Sequence, residues 1–284
     1  MKNQVVAIVG PTASGKSDYA VRLAKKIGGE IISCDSRQVY KELTIGTAKI
    51  SPMEMKGIPH HCINLTSVKK VFTVMDFMKC ADGSITSILS RGKVPILVGG
   101  TGFYMQSLLD GLIFPQVPPN LKLRRKLEKE SAEKLYQILQ KKDPARARTI
   151  ERKNKRRLIR ALEIIEALGK VPELGRDPKL SKYNVKYIGI KRNAEDLSKR
   201  IEQRTKKMLD RGLIRETKKL RDIGLTWKRI YELGFEYKYP ALYLQKKISK
   251  KEMIESINRE SIKYVRRQML WWKKDKRIKW LVRV

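Results

Sequence analysis

Short apolar runs alternate with segments of helical spacing in the first part of the chain. Residues 5–9 and 94–98 are almost wholly apolar, and residues 30–33 have two central isoleucines, which predicts three buried strands. Residues 18–27 and about 76–90 place apolar side chains at helical intervals. Strands that alternate with helices predict a parallel sheet with helices on both faces, and therefore an α/β fold.

The pattern changes after residue 112. Residues 121–168 have helical spacing that is broken at Asp143-Pro144, and residues 169–182 are rich in Gly, Pro and charge, which predicts a loop. Residues 185–190 alternate like a strand, and the rest is helical with breaks at Gly212, Gly224 and Gly234. We therefore predict a core of residues 1–112 and 184–284 that is interrupted by a helical insertion of residues 113–183.

The charge is large and unevenly placed. The chain has 64 Lys and Arg against 29 Asp and Glu; residues 1–112 carry a net charge of +6 and residues 113–284 carry +29. A polyanion accounts for this surplus, because each neutralised phosphate releases counterions and favours binding. The charge predicts a nucleic-acid partner, with solvated lysine-rich helix faces as the alternative.

The cysteines and the apolar runs exclude several classes of protein. Cys34, Cys62 and Cys80 are an odd number without CxxC spacing, which excludes a disulfide scaffold and a cysteine-rich zinc module. The apolar runs are far shorter than the roughly 18 residues of a membrane-spanning helix, and no signal peptide is recognisable. We expect a cytoplasmic protein, with no membrane attachment, that acts as a monomer.

The most specific motif is GPTASGKS at residues 10–17, which fits G-x-x-x-x-G-K-[ST] between a predicted strand and a predicted helix. Its glycines let backbone N–H groups turn towards phosphate oxygens, and the helix N-terminus favours negative charge. Lys16 neutralises a terminal phosphate, and the Ser17 hydroxyl is a ligand for Mg²⁺. The motif predicts a P-loop NTPase-like core. Its phosphate-binding residues are Gly10, Pro11, Thr12, Ala13, Ser14, Gly15, Lys16 and Ser17.

Sites of this kind usually carry an acidic residue at the end of another buried strand. Residues 94–98 are followed by Gly99-Gly100-Thr101 instead, and the nearest carboxylate in the predicted topology is Asp35. Ligands of open α/β sheets lie over the carboxyl ends of the strands, so Asp35 and Thr101 are expected beside the P-loop. Turn or helix-cap roles are the simpler interpretation of both residues.

Further motifs occur in order along almost the whole chain. They are DSRQVY (35–40), PHH (59–61), PILVGGTGFY (95–104), RLIRALE (157–163), the spacing Arg200…Arg204…Met208…Gly212-Leu213, and YVRRQ (264–268). Together with the P-loop, this set resembles the bacterial tRNA dimethylallyltransferase family over about residues 5–273. The chain departs from the family pattern at residues 233–237, LGFEY.

The resemblance implies a reaction and roles for several residues. A dimethylallyl group passes from dimethylallyl diphosphate to the exocyclic N6 amine of the adenosine just 3′ of the anticodon in tRNA. The P-loop then holds the diphosphate leaving group with Mg²⁺, and Arg204 is the further cation, with Arg200 less favoured. Asp35 is expected to be the general base, and Thr101 to hydrogen-bond near the reacting centre.

The resemblance also implies how the anticodon stem-loop is bound. Gln38 suits bidentate pairing to adenine, and the helix around residues 156–168 has a basic face opposite an apolar stripe. In the last helix Tyr264, Gln268 and a tryptophan at 271 or 272 share one side, and core packing is favoured over base stacking. The expected tRNA-binding residues are Asp35, Ser36, Arg37, Gln38, Thr101, Arg124, Arg156, Arg157, Leu158, Ile159 and Arg160.

Three other functions are compatible with parts of the sequence. A small-molecule P-loop kinase would not need a net charge of +29 after residue 112. A non-catalytic or nucleotide-driven RNA-binding protein would leave Asp35 and residues 99–104 without a role. A prenyltransferase that acts on free AMP would not need the long basic insertion.

Overall fold

A parallel sheet forms the centre of the larger part of the molecule. The structure is a computed structural model and describes residues 4–173, 175 and 183–282. In that part of the chain six strands pair in parallel in the order β3-β2-β4-β1-β5-β6, which confirms the predicted α/β fold. The strands are β1 (Gln4–Val9), β2 (Gly29–Ser33), β3 (His60–His61), β4 (Val94–Val98), β5 (Asn184–Lys191) and β6 (Lys279–Val282).

Most helices lie close to the segments whose spacing predicted them, but the helices at 52–55 and 102–109 lie where none was predicted. Gly212 and Gly234 stand directly before two other helices with positive φ, so these predicted breaks begin helices. The helices are α1 (Lys16–Ile27), α2 (Pro52–Met55), α3 (Val74–Ser90), α4 (Gly102–Leu109), α5 (Leu121–Leu127), α6 (Ala132–Lys142), α7 (Pro144–Thr149), α8 (Lys155–Leu168), α9 (Ala194–Asp210), α10 (Leu213–Asp222), α11 (Trp227–Glu232), α12 (Phe235–Leu244) and α13 (Lys250–Trp272).

β1 is buried on both faces because its side chains alternate between two hydrophobic clusters. Val5, Ala7 and Val9 pack in a cluster with side chains of α3 and α4, and Val6 and Ile8 pack with side chains of α1. A strand covered on both sides has no polar face, and its sequence is therefore a continuous apolar run. Because β1 lies between β4 and β5 and is parallel to both, the residues that follow it lie at the carboxyl edge of the sheet.

Two edge strands were not predicted. β3 has two residues and pairs with β2, and β6 has four and pairs with β5. Such short segments contain too few positions for a periodic signal. Their pairing depends on the neighbouring strand, which lies far away in the sequence.

The chain divides into two compact units. One contains residues 1–110 and 181–284, and the other contains residues 111–180. The second unit is helical in its described part, with α5 to α8 around a core that includes Leu135, Leu139, Leu158 and Leu162. Its limits lie within three residues of the predicted insertion, 113–183.

A buried carboxylate links α5 and α8 in the second unit. Glu163 is 1% exposed and accepts hydrogen bonds from Arg124 Nε at 2.7 Å and from Arg160 Nη1 at 2.7 Å. The backbone N–H of Asn120, the N-cap of α5, donates to the same carboxylate at 2.7 Å. Burial raises the pKa of Glu163, but the hydrogen bonds from both arginines bring it below its ordinary value. Glu163 is therefore a charged group with a full set of partners.

We expect Glu163→Gln to lower the free energy of unfolding by about 2–3 kcal/mol, because two guanidinium groups lose their carboxylate. Urea denaturation at pH 7 measures this loss. Glu166→Gln on the same helix is the matched control, since its exposed carboxylate lies 4.0 Å from Lys142 and should contribute less than about 0.5 kcal/mol. Equal losses in the two variants would contradict the structural role of Glu163.

The cysteines form one bond that the sequence analysis did not predict. Cys62, directly after β3, and Cys80, in α3, are joined by a disulfide, and Cys34 is a buried free thiol. One bond between two elements is not a disulfide scaffold, so that exclusion is unaffected. In the described residues, we find no helix with the length and apolar character needed to cross a membrane.

Candidate active site

A cavity of about 470 Å³ lies at the carboxyl edge of the sheet. The segments that follow β1, β2 and β4 line it with residues 12–18, 35–38 and 99–101. Further walls come from residues 204, 233–237, 264, 267 and 268. Ligands of open parallel sheets bind at this edge, so the location agrees with the predicted site.

The P-loop has the backbone conformation that an anion site requires. Gly10 and Gly15 have φ angles of 139° and 92°, and a Cβ on Gly10 would lie 2.3 Å from the carbonyl oxygen of Ile190. Gly15 is the N-cap of α1, and no side chain among the described residues caps this end. The first N–H groups of α1 can therefore bind an anion. Residues 12–17 line the cavity, whereas Gly10 and Pro11 are not among its lining residues.

Two arginines of the larger unit stabilise the P-loop through its carbonyl groups. Arg192 Nε donates to the carbonyl of Ser14 at 2.9 Å, and Arg200 Nε donates to that of Ala13 at 2.8 Å. Arg200, the less favoured candidate for the further cation, is not among the lining residues of the cavity. These contacts order the loop before a ligand binds, which lowers the cost of reorganisation.

Lys16 and Arg204 bring positive charge into the cavity. Burial, and next the nearby Arg204 cation, lower the pKa of Lys16 to about 7. Arg204 Nη1 donates to the hydroxyl of Thr12. Arg204 Nε and Ser14 Oγ are buried and have no hydrogen-bond partner among the described residues. Buried polar atoms without partners are rare, and an anion bound here would neutralise the cations and satisfy both atoms.

Asp35 stands in the turn after β2 and lines the cavity. Its Oδ1 accepts the backbone N–H groups of Arg37 at 2.8 Å and Gln38 at 3.3 Å, so the turn role considered from the sequence is real. Oδ2 has no hydrogen bond from any described residue, which leaves one carboxylate oxygen for a ligand. Ser36 and Arg37 also line the cavity, and Arg37 Nη2 donates to the carbonyl of Glu232 at 2.9 Å.

Gln38 is oriented by two neighbours. Its Oε1 accepts from Ser33 Oγ at 2.9 Å, and its Nε2 donates to the carbonyl of Thr47 at 3.3 Å. An amide oxygen has two lone pairs and an amide nitrogen has two N–H groups, so one acceptor and one donor site are still available. Gln38 is thus a fixed amide at the wall of the cavity.

Thr101 is the N-cap residue of α4, but its side chain makes no capping hydrogen bond within the described structure. Its hydroxyl instead contacts the phenol of Tyr264, and burial raises the pKa of that phenol to about 12. The simpler interpretation of Thr101 as a cap hydroxyl is therefore wrong. The side chain lies at the cavity wall, beside Tyr264 of α13.

Glu236 is a lining residue that sequence analysis did not single out as functional. One of its carboxylate oxygens lies 4.0 Å from Arg204 Nη2, and burial raises its pKa. Tyr264, Gln268 and Arg192 were also missed as site residues. Tyr264 and Gln268 share a helix face with a tryptophan, a signal that favoured core packing, and Trp272 on the same helix is indeed fully buried in the core.

The RNA-binding residues predicted in the insertion belong to the second unit. Arg156 and Arg157 are exposed at the start of α8, whereas Arg124 and Arg160 contact Glu163. The side chains of Leu158 and Ile159, two of the expected tRNA-binding residues, are buried in the core of that unit. RNA could meet these two residues only through their backbone.

The fold and the cavity define the class: an α/β protein with a P-loop NTPase-like core and a cationic site for a phosphorylated ligand. A family model described as IPP transferase matches residues 38–275. The chain belongs to this IPP transferase family. The matched region begins after the P-loop, so residues 10–17 are an observation independent of that match.

Relatives from several bacteria match the chain over almost its whole length. A tRNA dimethylallyltransferase of Anoxybacillus flavithermus is 41% identical over 99% of this chain and 90% of its own length. One from Carboxydothermus hydrogenoformans is 41% identical over 99% of this chain and 92% of its own. Such coverage means that the core and the insertion both have counterparts in these relatives.

Solved structures share the fold. A tRNA isopentenylpyrophosphate transferase of Bacillus halodurans has a TM-score of 0.74 and 38% identity, over 99% of this chain and 90% of that one. A eukaryotic dimethylallyltransferase acting on tRNA has a TM-score of 0.83 and 28% identity, over 99% of this chain and 74% of that one. The architecture is therefore common to bacterial and eukaryotic enzymes.

The pKa of Lys16 predicts how the affinity for inorganic diphosphate depends on pH. Below pH 7 the amine is charged; above pH 7 it is neutral until a bound anion favours the ammonium form, so binding takes up a proton. The deprotonation of Lys16 should therefore weaken the binding of diphosphate by up to about tenfold for each pH unit between pH 7 and 9. Lys16→Arg keeps its charge over this range and lacks that contribution.

Calorimetry in buffers of different ionisation enthalpy counts the protons taken up by each protein. The titration of diphosphate itself is common to both, so the difference between them reports Lys16. Equal proton uptake by wild type and Lys16→Arg would contradict the lowered pKa.

Proposed function

We propose that this protein transfers a dimethylallyl group from dimethylallyl diphosphate to the N6 amine of the adenosine just 3′ of the anticodon in tRNA. The observation that carries the proposal is one cavity that contains a cationic P-loop, the carboxylate of Asp35 and the hydroxyl of Thr101. Such a cavity can bind a diphosphate and accept a proton from an amine a short distance away. The family membership of the chain supports the same reaction.

The P-loop stabilises the leaving group. When the allylic C–O bond breaks, positive charge develops on carbon and negative charge on the diphosphate. Backbone N–H groups of the P-loop, Lys16 and Arg204 are already ordered around the position of that negative charge. Ser14 Oγ and Arg204 Nε, which have no hydrogen-bond partner among the described residues, supply further hydrogen bonds to the leaving group.

The donor set fits Mg²⁺ bound together with a diphosphate. Among the described residues, no group of three or more His, Cys, Asp or Glu could hold a metal ion alone. Ser17 lines the cavity, and Mg²⁺ usually takes only one or two protein ligands and completes its shell with water and phosphate oxygens. Ser17 would be its ligand from the P-loop. The ion would neutralise charge on the leaving group.

Asp35 is the general base in this proposal. The adenine amine is a weak nucleophile, and a carboxylate that accepts its proton as the new C–N bond forms removes the developing positive charge. Gln38 presents its remaining donor and acceptor to the adenine edge, which suits an amide. Thr101 hydrogen-bonds near the reacting atoms. The base must leave its stack to enter the cavity.

The insertion binds the anticodon stem-loop through its exposed cations. Arg156 and Arg157 stand at the first turn of α8, exposed to solvent. Arg124 and Arg160 contribute indirectly, because their contacts with Glu163 stabilise the helices that present this surface. We propose electrostatic contact with RNA phosphates, which is salt-dependent by nature.

Asp35→Asn tests the chemical proposal. We expect label transfer from radioactive dimethylallyl diphosphate to an anticodon stem-loop RNA to fall by about 10²–10⁴-fold, because the amide cannot accept the proton. RNA binding should persist. Asp222→Asn, an exposed position in α10, is the matched control and should transfer at the wild-type rate.

The same assay with different prenyl acceptors separates the alternative functions. Label in free AMP but not in RNA would favour the adenylate prenyltransferase. Steady ATP turnover with no label in any RNA would overturn the proposal and favour a kinase or a nucleotide-driven RNA-binding protein.

Arg156→Gln/Arg157→Gln tests the RNA surface. We expect the Kd for the stem-loop RNA to rise about tenfold at moderate salt and the slope of log K against log salt to fall in magnitude by about 1.4–1.8, because two phosphate contacts are lost. Lys141→Gln/Lys142→Gln, in α6 of the same unit, removes the same charge elsewhere. Similar losses in both double variants would show that net charge, and not this surface, determines RNA binding.

A further inference from the structure

Helix α13 reaches the cavity with an amide that the proposed chemistry leaves without a role. Gln268 is 5% exposed. Its Oε1 accepts the backbone N–H of Thr12 in the P-loop at 2.8 Å, and its Nε2 donates to the carbonyl of Gly100 at 3.0 Å. One side chain thus bridges the loop after β1 and the loop after β4.

The surroundings of Gln268 require an amide. The N–H of Thr12 needs an acceptor and the carbonyl of Gly100 needs a donor, and this pattern also fixes which amide atom is oxygen. A Cβ on Gly100 would lie 2.0 Å from Gln268 Nε2, so the amide occupies the space that a larger residue would fill. A glutamate lacks the donor and a methionine lacks both groups.

The two bridged loops contribute to the two substrate sites of the proposed reaction, one for the diphosphate and one for the adenine amine. Thr12 also provides the hydroxyl that Arg204 contacts on the diphosphate side. Gly100 is followed by Thr101, whose hydroxyl contacts Tyr264, also from α13. The separation between the two sides therefore depends on α13, and Gln268 makes the direct connection.

We propose that Gln268 is a positioning residue that sets the distance between the diphosphate site at the P-loop and the acceptor site at Thr101. This inference rests on the proposed prenyl transfer. Transfer between two bound substrates needs the reacting carbon and nitrogen at about 3–3.5 Å, and a displacement of about 1 Å can cost 10²-fold in rate. Gln268 touches neither substrate in this role.

The first test separates kcat from KM. We expect Gln268→Met to lower kcat for prenyl transfer by about 10²-fold and to leave the KM for stem-loop RNA within about twofold of wild type. Gln245→Met is the matched control, because Gln245 bonds to Tyr231 and to the carbonyl of Ala241 away from the cavity. An unchanged kcat in Gln268→Met, or equal effects in the two variants, would overturn the proposal.

Gln268→Glu provides a rescue that a merely structural role would not show. The protonated carboxyl restores a donor for Gly100 and keeps an acceptor for Thr12, whereas the carboxylate does not. The kcat of Gln268→Glu relative to wild type should therefore rise as the pH falls, and the ratio for Gln268→Met should stay constant. A constant ratio for Gln268→Glu would count against the bridge.

A measurement without catalysis keeps the test independent of the proposed function. In wild type, inorganic diphosphate with Mg²⁺ should slow amide hydrogen exchange in residues 12–18 and also in residues 99–105. In Gln268→Met the protection should persist in the first segment and be lost in the second. Protection of both segments in the variant would overturn the connection even if the wild type transferred no prenyl group.

Discussion

The burial of positive charge at the start of α1 is the constraint on which the rest of the site depends. Lys16 and Arg204 share one cavity with the N-terminus of a helix, and buried charge is costly without partners. The fold offsets part of this cost with protein oxygens, from Pro11 and Thr12. The positive charge that these oxygens do not offset attracts an anion, and a diphosphate is therefore a good ligand for this cavity.

The acceptor side of the cavity is built differently. Asp35 and Gln38 are held by hydrogen bonds to neighbouring residues, Thr101 lies beside the phenol of Tyr264, and each retains a polar group for a ligand. Helix α13 connects this side to the P-loop through Gln268. A long C-terminal helix thereby positions groups that come from the first hundred residues of the chain.

In the insertion, position determines which cations serve structure and which meet solvent. Arg124 and Arg160 are partly buried and contact the buried Glu163. Arg156 and Arg157 lie on the exposed face of the same unit. A net charge of +29 after residue 112 is therefore not a uniform surface for RNA. Part of that charge stabilises the helices that present the rest.

Local signals in the sequence were enough for the parallel α/β core, the P-loop and the placement of Asp35 and Thr101 at one edge. These features follow from periodicity and from short motifs, and both signals are local, because each lies within a short stretch of the sequence. Only the tertiary structure decided the rest: the edge strands β3 and β6, the position of Glu236 and the bridge made by Gln268. The bridge joins residues that are 256 positions apart, and such a contact arises only when the sheet and α13 pack together.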